Sequence, residues 1–187
     1  MSVRKAKQKK STRALERSKM SYRLHISLRE VHPPVWRSFT VWGDTGLDEL
    51  HTFIQWSMGW NNEHLHQFRF KGCNYGQPSN GSVFGFSPSV LDEKKWILAD
   101  LDLKPGDVME YWYDFGDDWY HDIRIESISS DGPELWEKEK RSGACPPEDC
   151  GGPFMYSAMV EALNDPRHQL HERAVEWLGE DFDPNQD

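Results

Sequence analysis

No apolar run in this chain approaches the ~20 residues that a membrane-crossing helix needs. The N-terminus also lacks the short apolar core of a secretory signal. Cysteine is scarce: Cys73, Cys145 and Cys150 are an odd number without CxxC spacing, which argues against a disulfide framework and sets a cytoplasmic home as the expectation. There is no internal repeat. The tripeptide DFG at Asp114–Gly116 stands without a glycine-rich loop or an HRD-type catalytic loop, so a kinase reading falls.

Aromatic residues, by contrast, make up 13% of the chain, including nine tryptophans. With 37% hydrophobic and 28% charged residues in 187, the sequence can build one core and stay in solution. Its net charge of −9 is unevenly spread. Residues 1–20 hold eight Lys or Arg against one Glu, a net +7; the other 14 basic and 30 acidic residues leave the body at −16. We therefore expect residues 1–20 to be a disordered basic arm and residues 21–187 a single domain. Such an arm can touch nucleic acid through phosphates, but the acidic body would make that contact weak and salt-sensitive.

Hydrophobic periodicity predicts the elements. Tyr22, Leu24, Ile26 and Leu28 alternate with polar neighbours, the mark of a half-buried strand. Pro33 and Pro34 break it, and a second strand runs from about Val35 to Trp42. Leu47, Leu50, Ile54 and Met58 keep helical spacing, with Thr45 and Asp48 in capping-box register and Gly59 as C-cap. Period two returns at 64–70. Residues 71–95, rich in Gly, Ser, Pro and Asn, read as a long loop or flap. A hairpin spans 108–128 with FGDD at its tip, a polar linker follows, and helices are expected at about 155–164 and 167–178. The sum is an α+β fold: an antiparallel or mixed sheet in β-β-α-β order, resembling a β-grasp in element order only, then a β-hairpin and two C-terminal helices.

Two stretches stand out chemically. YDFGDDWYH at 113–121 places three aspartates, a histidine and four rings around one turn, which Gly116 would permit and an aspartate would cap. CPPEDCGG at 145–152 is a stiff loop carrying Glu148 and Asp149. His64 and His66 point the same way on a strand, and His121 shares a face with Ile123 and Ile125. If these faces meet, His64, His66 and His121 could hold a divalent metal. The competing role is that each is a core-edge histidine bonded to a carbonyl or carboxylate. Asp117, Trp119, Glu148 and Asp149 join the three histidines as candidate ligand-binding residues.

Taken together, PPVWR at 33–37, HLHQF at 64–68, YDFGDDWYH, CPPEDCGG and FDP at 182–184 resemble the plasmid pRiA4b ORF-3-like family from about Tyr22 to Pro184. The resemblance implies a fold and little about activity. A resolvase label carried by some members does not suit this chain: residues 145–187 hold ten acids and two arginines, which no major groove would accept. Three classes of function stay open. The first is a small binding module with an aromatic, histidine and acidic cleft. The second is a metal-dependent hydrolase built on the histidines, with Glu148 or Asp149 as base. The third is a mobile-element accessory protein that meets nucleic acid or a protein partner through its basic arm.

Overall fold

The computed structural model describes residues 12–78, 90–132 and 140–186. In chain order the elements are α1 (Thr12–Arg17), β1 (Ser21–Leu28), β2 (Trp36–Trp42), α2 (Leu47–Met58), β3 (His66–Phe70), β4 (Cys73–Gly76) and β5 (Val90–Asp92). Two 3-10 turns, Glu93–Lys95 and Leu98–Leu101, lead to β6 (Val108–Tyr113) and β7 (Trp119–Ser129). Then come β8 (Lys140–Ser142), α3 (Gly152–Leu163) and α4 (His171–Leu178). The eight strands form one sheet in the order β5-β4-β3-β6-β7-β1-β2-β8, antiparallel except for the parallel pair β4·β5. The fold is α+β with a mixed sheet.

The alternation of β1 does what its sequence dictates. Tyr22, Leu24, Ile26 and Leu28 face the core, while Arg23, His25 and Ser27 face outward. The inner face continues through Phe68 and Phe70 of β3, Met109, Tyr111 and Tyr113 of β6, and Trp119, Ile123 and Ile125 of β7. Helix α2 covers it with Leu47, Leu50, Ile54 and Met58, so helix and sheet share one cluster. The fully buried Trp119, Tyr22, Tyr111, Tyr113, Tyr156 and Phe68 are its largest members, which accounts for much of the aromatic content.

Several details differ from the sequence-based expectation. The N-terminal cap of α2 is Gly46, whose amide donates to Glu49 Oε2 at 2.8 Å, not the Thr45–Asp48 pair. Gly59 does close the helix in the left-handed conformation. The predicted loop at 71–95 has strands at both ends, β4 and β5; its centre, 79–89, lies outside the described residues. Strand β8 falls in the polar linker, where pairing with β2 rather than burial sets its conformation. Residues 1–11 of the basic arm lie outside the described residues. The rest of the arm is not a solvated tail, because Arg17 donates to Asp102 Oδ1, the Leu103 carbonyl and Tyr22 Oη and seats α1 on the body. Gly43 is required there: a Cβ would lie 2.1 Å from the Arg17 carbonyl oxygen.

Arg37, within the PPVWR segment, is buried and donates from Nε to the Ser57 carbonyl at 2.7 Å. From Nη1 it reaches the carbonyls of Trp36, Ser142 and Gly143. A guanidinium at the carboxyl end of α2 satisfies the Ser57 carbonyl in its last turn and ties the helix to the segment entering CPPEDCGG. No described helix is long and apolar enough to cross a membrane.

Candidate acid–histidine site

The two chemically dense stretches meet. The β6–β7 turn is built by its aspartates rather than by Gly116: Asp114 and Asp118 take left-handed backbone conformations, φ 53° and 57°, and Gly116 does not. Asp114 Oδ1 accepts from the Gly116 amide at 2.9 Å, and Asp118 Oδ1 from Trp112 Nε1 at 2.9 Å. Asp117 reaches across to CPPEDCGG and accepts from the Gly151 amide at 2.8 Å. Gly152 packs so tightly on the Asp117 carbonyl that a Cβ would lie 2.4 Å from its oxygen. Asp117 therefore serves as a clasp between turn and loop.

That clasp delivers Asp149 and Glu148 to His64, in the loop before β3. His64 Nε2 stands 3.1 Å from Asp149 Oδ1, 3.7 Å from Asp114 Oδ2 and 3.9 Å from Glu148 Oε2. One ligand atom each from His64, Asp114 and Asp149 lies within 4.8 Å of the others. Glu148 is held from one side: its Oε1 accepts from Tyr113 Oη at 2.8 Å and from the Asn61 amide at 3.0 Å. Burial, and then the Glu148 carboxylate, push the Tyr113 hydroxyl far above its ordinary range, so it stays a donor. Its oxygen in turn accepts from the Glu63 amide at 3.1 Å. Glu148 Oε2 and His64 Nε2 are both enclosed and make no hydrogen bond. Among the described residues, the one basic side chain within ion-pairing distance of these three acids is His64. His64, Asp114 and Asp149 form a mixed N/O donor set whose ligand atoms lie close together, with Glu148 Oε2 beside the imidazole, enclosed and unsatisfied.

The three predicted histidines do not share a site. In the sheet order β6 lies between β3 and β7, and His66 is in register with Tyr113 and Trp119 rather than with His121, so the two histidines stand two strand spacings and two residues apart, more than ~10 Å. The Tyr111 ring fills the gap, 5.9 Å from the His66 ring and 5.1 Å from that of His121. Period two placed them on one face; it carried no information about the intervening strand. His121 is fully buried, and its Nδ1 lies 3.0 Å from the Trp119 carbonyl and 3.3 Å from that of Tyr111. Carbonyls only accept, so Nδ1 carries the proton. Burial lowers the His121 pKa to about 4. His66 Nε2 is bonded to the buried Glu93 at 2.8 Å. Trp119 is a core residue against Trp60, with an unsatisfied Nε1. Burial pushes the Cys145 and Cys150 thiols up, which does not suit a nucleophile.

Sequence reasoning missed His51. It stacks on His66 with ring centroids 3.5 Å apart and planes 5° apart. It also closes a ring of four hydrogen bonds. Tyr111 Oη donates to His51 Nδ1 (2.8 Å), and His51 Nε2 donates to Asn62 Oδ1 (2.7 Å). The Asn62 amide donates to Gln55 Oε1 (2.9 Å), and Gln55 Nε2 donates to Tyr111 Oη (3.1 Å). Burial, then the neighbouring His66, lowers the His51 pKa to about 4, so the ring runs through a neutral imidazole. The signal was present as His51 and Gln55, polar residues four apart beside the apolar stripe of α2.

Comparison with known proteins places these features in a family. The model of the plasmid pRiA4b ORF-3-like proteins matches residues 20–187. The uncharacterized protein y4hQ of Sinorhizobium fredii (strain NBRC 101917 / NGR234) is 38% identical over 167 residues, covering 86% of this chain and 82% of the relative. Among solved structures, the protein of unknown function MM3350 from Methanosarcina mazei Go1 is similar at a TM-score of 0.77 and 32% identity, across 90% of this chain and 94% of that one.

Proposed function

This chain belongs to the plasmid pRiA4b ORF-3-like family, and from that fold we propose a binding module whose acid–histidine site takes a divalent cation. His64, Asp114 and Asp149 supply the ligand atoms, and Glu148 offers its enclosed Oε2 as a fourth or as an outer partner. The observation that carries the reading is the convergence of His64 Nε2 on three carboxyl groups while it and Glu148 Oε2 lack hydrogen bonds. The enclosed Glu148 Oε2 is costly to leave without a positive charge or donor beside it, whereas the Asp149 side chain is 60% exposed and keeps the site open to solvent. One nitrogen with carboxylate oxygens suits Mn²⁺, Fe²⁺ or Zn²⁺ better than the all-oxygen preference of Ca²⁺.

Titration of chelator-stripped protein with Mn²⁺ and Zn²⁺, followed by calorimetry, tests it. One equivalent should bind, and His64→Ala with Asp149→Asn should remove it. Asn is the suitable swap because Asp149 sits at φ 57°, a region Asn tolerates. Absence of binding at millimolar metal, or binding indifferent to the double variant, ends the proposal. Hydrolysis is a second reading, favoured by the unsatisfied Glu148 Oε2 as a base beside the cation. It requires metal-dependent turnover of p-nitrophenyl esters or phosphates that Glu148→Gln abolishes.

A further inference from the structure

The outer face of the sheet carries a second feature, separate from the acid–histidine site. Arg23 and His25 of β1 alternate with the core residues Leu24 and Ile26, so they point away from α2. With Trp36, Ser38 and Thr40 of β2 and Glu126 of β7, they line a groove of about 580 Å³, within the ~300–1,000 Å³ common for small-molecule sites. We infer that this groove binds a neutral, polyhydroxylated ring, the chemistry of a saccharide unit or of the ribose in a nucleoside.

Three observations support that class. The first is charge balance. Among the described residues, two cations, Arg23 and Lys140, share the groove with two carboxylates, Glu126 and Asp131. A groove without a dominant sign gives no advantage to a phosphate chain or a polycation. The second is hydroxyl density: Ser21, Ser38, Thr40, Ser127 and Ser129 all line it. Ser21 Oγ already donates to the Asp131 carbonyl at 2.6 Å and Ser129 Oγ to Asp131 Oδ2 at 3.1 Å, so these two offer a ligand hydroxyl their remaining lone pairs as acceptors. The third is a ring platform. His25 and Trp36 lie 4.9 Å apart with their planes tilted by 32°. The negative face of an aromatic ring attracts the slightly positive C–H face of a sugar.

Glu126 sits at the centre, and its contacts are long. Ser38 Oγ is 3.4 Å from its Oε2, Arg23 Nε 3.6 Å and His25 Nδ1 3.9 Å from its Oε1. These exceed the ~2.7–3.2 Å of well-made hydrogen bonds. A ligand hydroxyl beside Glu126 would donate to its carboxylate and make a short bond where the present contacts are long.

Amide chemical-shift mapping by NMR tests the inference with four probes: methyl β-D-glucopyranoside, methyl β-D-galactopyranoside, adenosine and inorganic phosphate. We expect saturable shifts confined to β1, β2 and β7 for at least one glycoside or for adenosine. A glycoside response identifies a saccharide source; a response to adenosine alone identifies the nucleoside source. Trp36→Ala and Glu126→Gln should each weaken binding at least fivefold. Glu126→Gln preserves shape, so the test survives if the tryptophan variant does not fold. No response to either glycoside or to adenosine, a response to phosphate alone, or affinities unchanged in Glu126→Gln would overturn the proposal.

Discussion

Single buried imidazoles tie the stability of this protein to pH. His51 and His121 have pKa values lowered to about 4 by burial, against ~6.5 in an unfolded chain. Between those values the unfolded state binds a proton at each position and the folded state does not. Stability is therefore complete above pH ~6.5, falls as pH drops toward 4, and levels off below. Each residue contributes up to about 3 kcal/mol of that loss. Urea unfolding at pH 7, 5.5 and 4.5 measures it. His121→Phe should flatten the slope by one proton. At pH 7 it should cost about 1–3 kcal/mol, because the Trp119 and Tyr111 carbonyls lose their Nδ1 donor. A slope identical to that of the wild type would mean His121 titrates normally in the fold.

Elements here are held by contacts that their own sequences barely announce. Helix α1 buries none of its residues; Arg17 fixes it. We expect Arg17→Ala to cost about 1–3 kcal/mol, lowering the thermal midpoint by several degrees. Arg13→Ala, whose side chain is 70% exposed beside Asp102, should stay within about 0.5 kcal/mol. Midpoints measured by circular dichroism separate the two. The clasp between the β6–β7 turn and α3 gives a sharper contrast. Gly106 and Gly152 both have positive φ, 91° and 79°, but only a Cβ at Gly152 meets backbone, 2.4 Å from the Asp117 oxygen. Gly106→Ala should cost about 1 kcal/mol and Gly152→Ala about 2–4 kcal/mol. Because Gly151 and Gly152 grip Asp117 beside Asp149, Gly152→Ala should also weaken Mn²⁺ binding in calorimetry, whereas Gly106→Ala should not. Equal costs at the two glycines would show that the clasp yields freely.

At the scale of the molecule, what the sequence disclosed depended on how local the cause was. Strand β1 and helix α2 were legible because burial on one face writes its period into neighbouring residues. Strand β8 was not, since it is exposed and owes its shape to β2, a hundred residues away. His64, Glu148 and Asp149 stood out as candidates; Asp114 was one of three aspartates readable as turn or site acids, and it both caps the turn and stands 3.7 Å from His64 Nε2. The pairing of His66 with Glu93 rather than His121 followed from strand order, which no periodicity encodes. Net charge is the whole-molecule property that bears on the proposed cation. A chain at −9 gains some stability from any added salt through screening, so stabilisation by metal alone proves little. A specific site makes a quantitative demand: Mn²⁺ at 100 times its Kd should add about 2.7 kcal/mol, raising the thermal midpoint by about 5–10 °C. NaCl at matched ionic strength should reproduce only a small part of that rise. His64→Ala with Asp149→Asn should abolish the metal-specific part, although it removes one acid and leaves the screening term almost unchanged. A midpoint that rises equally with NaCl, or equally in the double variant, would assign the effect to the charge of the surface and leave His64, Asp114, Glu148 and Asp149 as a junction where three loop segments meet.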